Sequence, residues 1–265
     1  MTMPEYNMLI TCLLVAAAGT YAAACPFMLT GRKTAGAIMA LLGWLLTATV
    51  MAINWIACGH PPFGSMGHVM VILSLCFMPL YLLLRKRNRL GWLDVYFAFA
   101  SIIPLLGSLS MEKDTSWQRV PALQSPWFIP HVTSYMLSYA LATVAFVLTI
   151  VRMTRSKIMK QTTTSHYDAA SYEIMRLAFP FMTFGLLSGA IWAEAAWGVY
   201  WSWDPKETWS LITWMLYLGY FHSRYDLRLK PYTGVIQTIA FAALITTFLL
   251  VNLLPKLSSA LHSYA

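Results

Sequence analysis

The sequence has 265 residues, of which 58% are hydrophobic and only 11% charged. A soluble domain carries about 25% charged residues, so this chain could not clothe a globule in polar surface. Disorder is excluded as well, because it requires low hydrophobicity. An integral membrane protein remains, and the meaning of its net charge of +8 depends on where the cations lie.

Eight apolar segments follow in chain order: 8–28, 35–58, 67–84, 92–109, 130–151, 174–192, 205–222 and 233–254. Each is long enough to cross the hydrocarbon layer as a helix. The runs are continuous rather than alternating, which excludes the short strands of a membrane barrel. The fold expected is all-α, a polytopic membrane bundle of about eight transmembrane helices forming one domain over 1–265. The first basic residue is Arg32, so the first segment lacks the positive flank of an export signal and reads as a retained span.

The loops carry the orientation. Fourteen of the eighteen basic residues fall in alternate connections, around 32–33, 85–89, 152–176 and 224–230. The other four are Lys113, Arg119, Lys206 and Lys256. The positive-inside rule puts the first group in the cytoplasm and both termini outside. The +8 is therefore an orientation signal with affinity for anionic lipid, and nucleic acid is not the expected partner.

The cysteines are Cys12, Cys25, Cys58 and Cys76, with no CxxC pair, so neither a disulfide framework nor a zinc site is expected. No CxxCH occurs, so no covalent haem of the chain's own is expected. His60 and His68 flank PPFGSMG, where turn packing is the default reading. His131 follows Pro130 at the outer end of the fifth segment. His166 lies in a basic loop, His222 at the inner end of the seventh segment, and His262 in the outer tail. No two histidines share a helix at the spacing of a fixed transmembrane dihaem site.

The most informative stretch is WAEAAWGVYWSWDPKETWSLITW, residues 192–214. It holds six of the eleven tryptophans: Trp192, Trp197, Trp201, Trp203, Trp209 and Trp214. An interfacial aromatic belt explains some of them. A platform for a flat aromatic ligand explains their density as well, because indoles bury large planar areas. Asp204, Pro205 and Glu207 have the spacing of a helix cap, so Asp204 reads as N-cap as well as a candidate site residue.

This stretch resembles the WWD domain of the cytochrome c assembly family, over about 192–209. Within that family the chain resembles the CcsA branch, also called ResC, of the system II pathway. HVTSYMLSYA at His131, YLGYFHSR at His222 and LHSYA at His262 resemble the segments that carry the branch's haem-ligand histidines. GHPP at His60 resembles a recurrent stretch of the same family. PPFGSMGHVM departs from the asparagine- and tyrosine-rich version of that loop.

The resemblance implies a haem-handling subunit of the holocytochrome c synthase, in the bacterial cytoplasmic membrane. It would take haem b to an extracytoplasmic site. There His131 and His262 would ligate iron, and Trp192, Trp197, Trp201, Trp203, Asp204 and Trp209 would cradle the porphyrin. His222 would ligate an inner haem together with a histidine of a CcsB (ResB) partner. Apocytochrome c would supply the reacting thiols, so no catalytic residue is expected from this chain, and any synthase activity would require the partner. Two other readings remain: a haem exporter or channel without synthase activity, and a structural subunit with an aromatic belt.

Overall fold

Leu, Ala and Met dominate the apolar runs, and such side chains lose little rotamer freedom in a helix. A computed structural model describes residues 3–88, 90–111, 121–157 and 164–251, and no strand occurs among them. The helices are α1 (Met3–Leu29), α2 (Lys33–Cys58), α3 (Met66–Asn88), α4 (Asp94–Leu109), α5 (Phe128–Lys157), α6 (Ser165–Trp197), α7 (Pro205–Ser223) and α8 (Thr233–Ile245). A π-helical turn, Thr246–Leu250, prolongs α8. The all-α membrane fold expected from the sequence is the one observed.

Seven of these helices are long and apolar enough to cross a membrane. The sequence reading had eight, and α7 is the difference. Its 19 residues rise about 28 Å, which suffices. Its ends, however, are Pro-Lys-Glu-Thr and His-Ser, which lower its apolarity.

The chain divides into two compact units, Met1–Val120 and Pro121–Ala265. In the first, α1 buries Tyr6, Ile10, Leu14, Ala17, Tyr21, Ala24 and Met28, spaced by three and four along one face. Opposite them α2 presents Gly36, Ala40, Gly43, Thr47, Val50 and Asn54 at the same spacing. A Cβ on Gly43 would lie 2.9 Å from Thr20 Oγ1 and from the Tyr21 ring, so the glycine is what allows the two backbones to approach. Trp44 Nε1–H donates to Leu75 O at 3.0 Å, fixing α2 to α3. Ser74 Oγ donates to Ser101 O at 3.0 Å, fixing α3 to α4.

The second unit pairs α5 with α6 along their length and adds α8. Phe146 stacks flat on Phe241, with ring centroids 4.1 Å apart. A buried polar knot joins three helices. Thr149 Oγ1 donates to Gln237 Oε1 at 2.6 Å, and Gln237 Nε2 donates to Ser171 Oγ at 2.9 Å. In hydrocarbon such groups must satisfy one another, and here they do.

Candidate functional site

Sequence separation hides the first feature. His131, in the first turn of α5, lies against Trp192 near the end of α6, with ring centroids 5.4 Å apart and planes 29° apart. Tyr135, one turn further along α5, meets the imidazole edge-on at 5.1 Å. Phe128 and Trp197 flank Trp192 at 5.4 and 4.9 Å. Trp192 is buried, and its Nε1–H donates to Ala122 O at 2.7 Å. Its polar edge is thus spent on the backbone just before α5, and its face is left to the imidazole.

The imidazole is held in one tautomer. His131 Nδ1 lies 2.8 Å from Gly185 O. A carbonyl oxygen only accepts, so Nδ1 carries the proton, and in the neutral ring Nε2 carries the lone pair. A backbone carbonyl on the other ring nitrogen is the usual support of a metal-ligating histidine. Gly189, one turn beyond Gly185, makes the slot. A Cβ there would lie 2.6 Å from His131 Cε1 and 2.7 Å from Nδ1. A Cβ on Gly185 would press the Tyr135 ring at 3.1 Å. Two glycines one helical turn apart therefore admit the Tyr135 ring and the imidazole to the α5–α6 seam.

The rest of the tryptophan stretch begins where α6 ends. Gly198 takes the left-handed conformation at φ 76°, and its N–H returns to Glu194 O. Asp204 then starts α7. Its carboxylate accepts from Lys206 N at 2.8 Å, with Pro205 in the first turn and Glu207 completing a capping box, as the spacing suggested. Glu207 does more than cap. Its Oε2 also accepts from Ser202 N at 2.8 Å and Ser202 Oγ at 3.2 Å. It thereby clamps both sides of Trp203, which alone among the described non-glycine residues has a positive φ, 61°. A left-handed residue of this size costs about 1–2 kcal/mol.

Trp203 is 68% exposed and meets Trp201 edge to face at 5.8 Å. The Trp201 Nε1–H is buried without a hydrogen-bond acceptor among the described residues. An orphan indole donor beside an exposed indole face suits a planar ligand with acidic groups. Trp209 is half-buried in the first turns of α7. Trp214 is bound to α6 through a 2.9 Å hydrogen bond from Nε1 to Thr183 Oγ1 and a stack on Phe179.

His222 stands near the far end of α7, about 27 Å along the helix from Asp204. It is exposed, and its Nδ1 lies 2.8 Å from Leu218 O, one turn back on its own helix. Next to it, Arg224 donates to Asp168 at 2.7 Å, and Arg152 reaches the same carboxylate at 3.3 Å. The Arg224 guanidinium also lies over the Tyr172 ring at 4.4 Å. Burial opposes its charge, but the bonds to Asp168 and Tyr220 outweigh this and raise its pKa.

The structure thus brings His131, Trp192 and Trp197 into one cluster. It pairs Trp201 with Trp203 and leaves His222 at the other end of α7. His262 lies outside the described residues. His60 is half-buried with Nδ1 near Pro61 O, and His68 is buried. Sequence reasoning missed Gly185, Gly189 and the clamping role of Glu207. The GxxxG spacing at 185–189 was the available signal for the glycines.

The family described as Cytochrome C assembly protein matches residues 8–258. A "Cytochrome c biogenesis protein CcsA" of Chlamydomonas reinhardtii is 36% identical over 236 residues, covering 83% of this chain and 65% of that protein. The proteins of the same name from Marchantia polymorpha and Mesostigma viride are 30% and 32% identical. Those matches cover 86% of this chain, and 86% and 85% of the two relatives. With most of its length matched and its tryptophan stretch in place, the chain belongs to the cytochrome c assembly protein family.

Proposed function

We propose that this chain is the haem-handling subunit of a system II holocytochrome c synthase, acting as one membrane domain with a ResB-like partner. Family membership carries the broader role in cytochrome c biogenesis, with haem and apocytochrome c as its molecular context. The observation that carries the finer reading is His131, held with its proton on Gly185 and its ring on Trp192 beside the tryptophan stretch. The Nε2 lone pair is the group that would bind the iron of haem b. His262 would supply the second axial ligand, and Trp197, Trp201, Trp203 and Trp209 the walls. Asp204 would act by holding the start of α7. The distribution of basic residues supports an extracytoplasmic position for this end, in a bacterial cytoplasmic membrane.

The chemistry asked of the chain is modest. A thiol of the apocytochrome adds across a vinyl group of haem, sulfur bonding to one carbon and hydrogen to the other. Nothing is oxidised and nothing leaves. The thiol comes from the substrate, so this chain needs to supply orientation rather than a nucleophile. His222, exposed and oriented by Leu218, is the half-site that would meet a histidine from the partner.

The test is the haem absorption band of the chain purified with its partner. His131→Ala and His262→Ala are each expected to weaken it, and added imidazole to restore it. An unchanged spectrum in both variants contradicts the ligand assignment. Thioether formation on an apocytochrome separates a synthase subunit from a plain exporter, which would release haem without attaching it.

A further inference from the structure

The connection between α7 and α8 carries apolar and charged residues in alternation. Along YDLRLKPY, residues 225–232, Tyr225 is 79% exposed, Leu227 86%, Leu229 45% and Tyr232 59%. Leu227 is the most exposed large apolar residue among those described. A single exposed leucine is ordinary, but four exposed apolar side chains within eight residues point to something that covers them.

The loop has a defined structure. Asp226 Oδ1 accepts from Arg228 N at 2.7 Å and from Leu229 N at 3.4 Å. Lys230 N–H donates to Asp226 O at 2.9 Å, and Tyr232 N–H to Leu229 O at 2.8 Å. Tyr225 Oη lies 2.9 Å from Tyr172 Oη, and Arg224 binds Asp168, so α6 holds the start of the loop. Arg228 and Lys230 are exposed, and neither forms an ion pair among the described residues. The one acid of the stretch, Asp226, has its carboxylate turned onto the loop's own backbone.

Position and charge identify the cover. The apolar span that contains α8 opens at Lys230. Three residues of chain reach about 10 Å at most, so Leu227 and Leu229 lie within that distance of the start of the span. Apolar side chains of interfacial segments sit about 5–10 Å into the boundary between headgroups and acyl chains. We propose that this loop docks on anionic phospholipid, with Leu227 and Leu229 entering the acyl boundary and Arg228 and Lys230 binding phosphate. Tyr225 and Tyr232 then lie at headgroup level, where rings with one polar end are favoured. The loop belongs to the basic set of connections, so the leaflet is the cytoplasmic one on the positive-inside rule. A protein partner is the poorer fit, because protein interfaces are depleted in lysine and would have to cover two unpaired cations, which a headgroup layer leaves hydrated. The inference does not depend on the haem reading.

Photocrosslinking tests it. The full chain, with Leu227 replaced by p-benzoylphenylalanine, is irradiated in nanodiscs of equal phosphatidylglycerol and phosphatidylcholine, and the adducts are weighed by mass spectrometry. Lipid adducts are expected, with phosphatidylglycerol exceeding phosphatidylcholine by at least about fivefold, the preference of one basic side chain near an anionic surface. Adding Arg228→Gln and Lys230→Gln is expected to bring the ratio close to one, whereas Arg85→Gln with Lys86→Gln, two exposed cations of the other unit, leaves it unchanged. The absence of lipid adducts overturns the proposal, as does a ratio near one in the chain with both cations or a ratio that the Arg228 and Lys230 substitutions do not lower. So does a protein adduct in place of a lipid adduct when the same chain is irradiated in the membranes of the cells that express it.

Discussion

His131 and His222 use the same device to different degrees. Each points Nδ1 at a backbone carbonyl 2.8 Å away, which leaves Nε2 as the basic nitrogen. The carbonyl for His131 belongs to another helix, 54 residues along the chain, and the ring is walled by Trp192 and Tyr135. The carbonyl for His222 is its own helix's Leu218, and the ring is exposed. Tertiary packing positions the first within this chain. Helix geometry alone orients the second, which suits a half-site completed by another protein.

The comparison breaks most clearly at His131. His131→Ala is expected to weaken the haem band of the purified complex to the share held at the His222 site, with recovery in imidazole. Next comes the slot. Gly189→Ala puts a methyl group 2.6 Å from the His131 ring, so the haem band is expected to fall although both histidines remain. Overpacking of this kind costs about 1–3 kcal/mol, to be read as a lowered thermal midpoint in detergent. Two smaller effects follow. Trp192→Phe removes the hydrogen bond to Ala122, worth about 1 kcal/mol, and keeps most of the stacking face. Glu207→Ala removes a capping-box carboxylate and the clamp on Trp203, for a loss of about 1 kcal/mol in the same assay. The smallest effect is at His222. His222→Ala is expected to change the stability of this chain by less than about 0.5 kcal/mol. Its consequence is confined to haem bound in the presence of the partner. A large loss of stability there would erase the contrast.

Some of this was legible in the sequence and some was not, for physical reasons. The start of α7 was read at its first residue because Asp-Pro-Lys-Glu is a local signal, complete within four positions. The start of α6 was placed at 174 and lies at Ser165, because its first turns carry His166, Asp168 and Glu173 and fall outside an apolar window. They are helical because Asp168 binds Arg152 and Arg224 across helices, which no window along one segment detects. The tryptophan stretch stood out by composition, and His131 by its flanking motif. Their stacking did not, since residues 131 and 192 meet only once α5 and α6 have packed. Gly185 and Gly189 carry only a GxxxG spacing along the chain, because the rings they admit, Tyr135 and His131, lie on another helix.

The most direct test of the His131 assignment is electron paramagnetic resonance of the ferric, haem-loaded complex, with histidine labelled with ¹⁵N at Nε2. The expected result is a low-spin bis-imidazole signal coupled to labelled Nε2, reduced in His131→Ala to the share of the inner haem. A low-spin signal that survives that substitution unchanged, or coupling through Nδ1 instead, would contradict it.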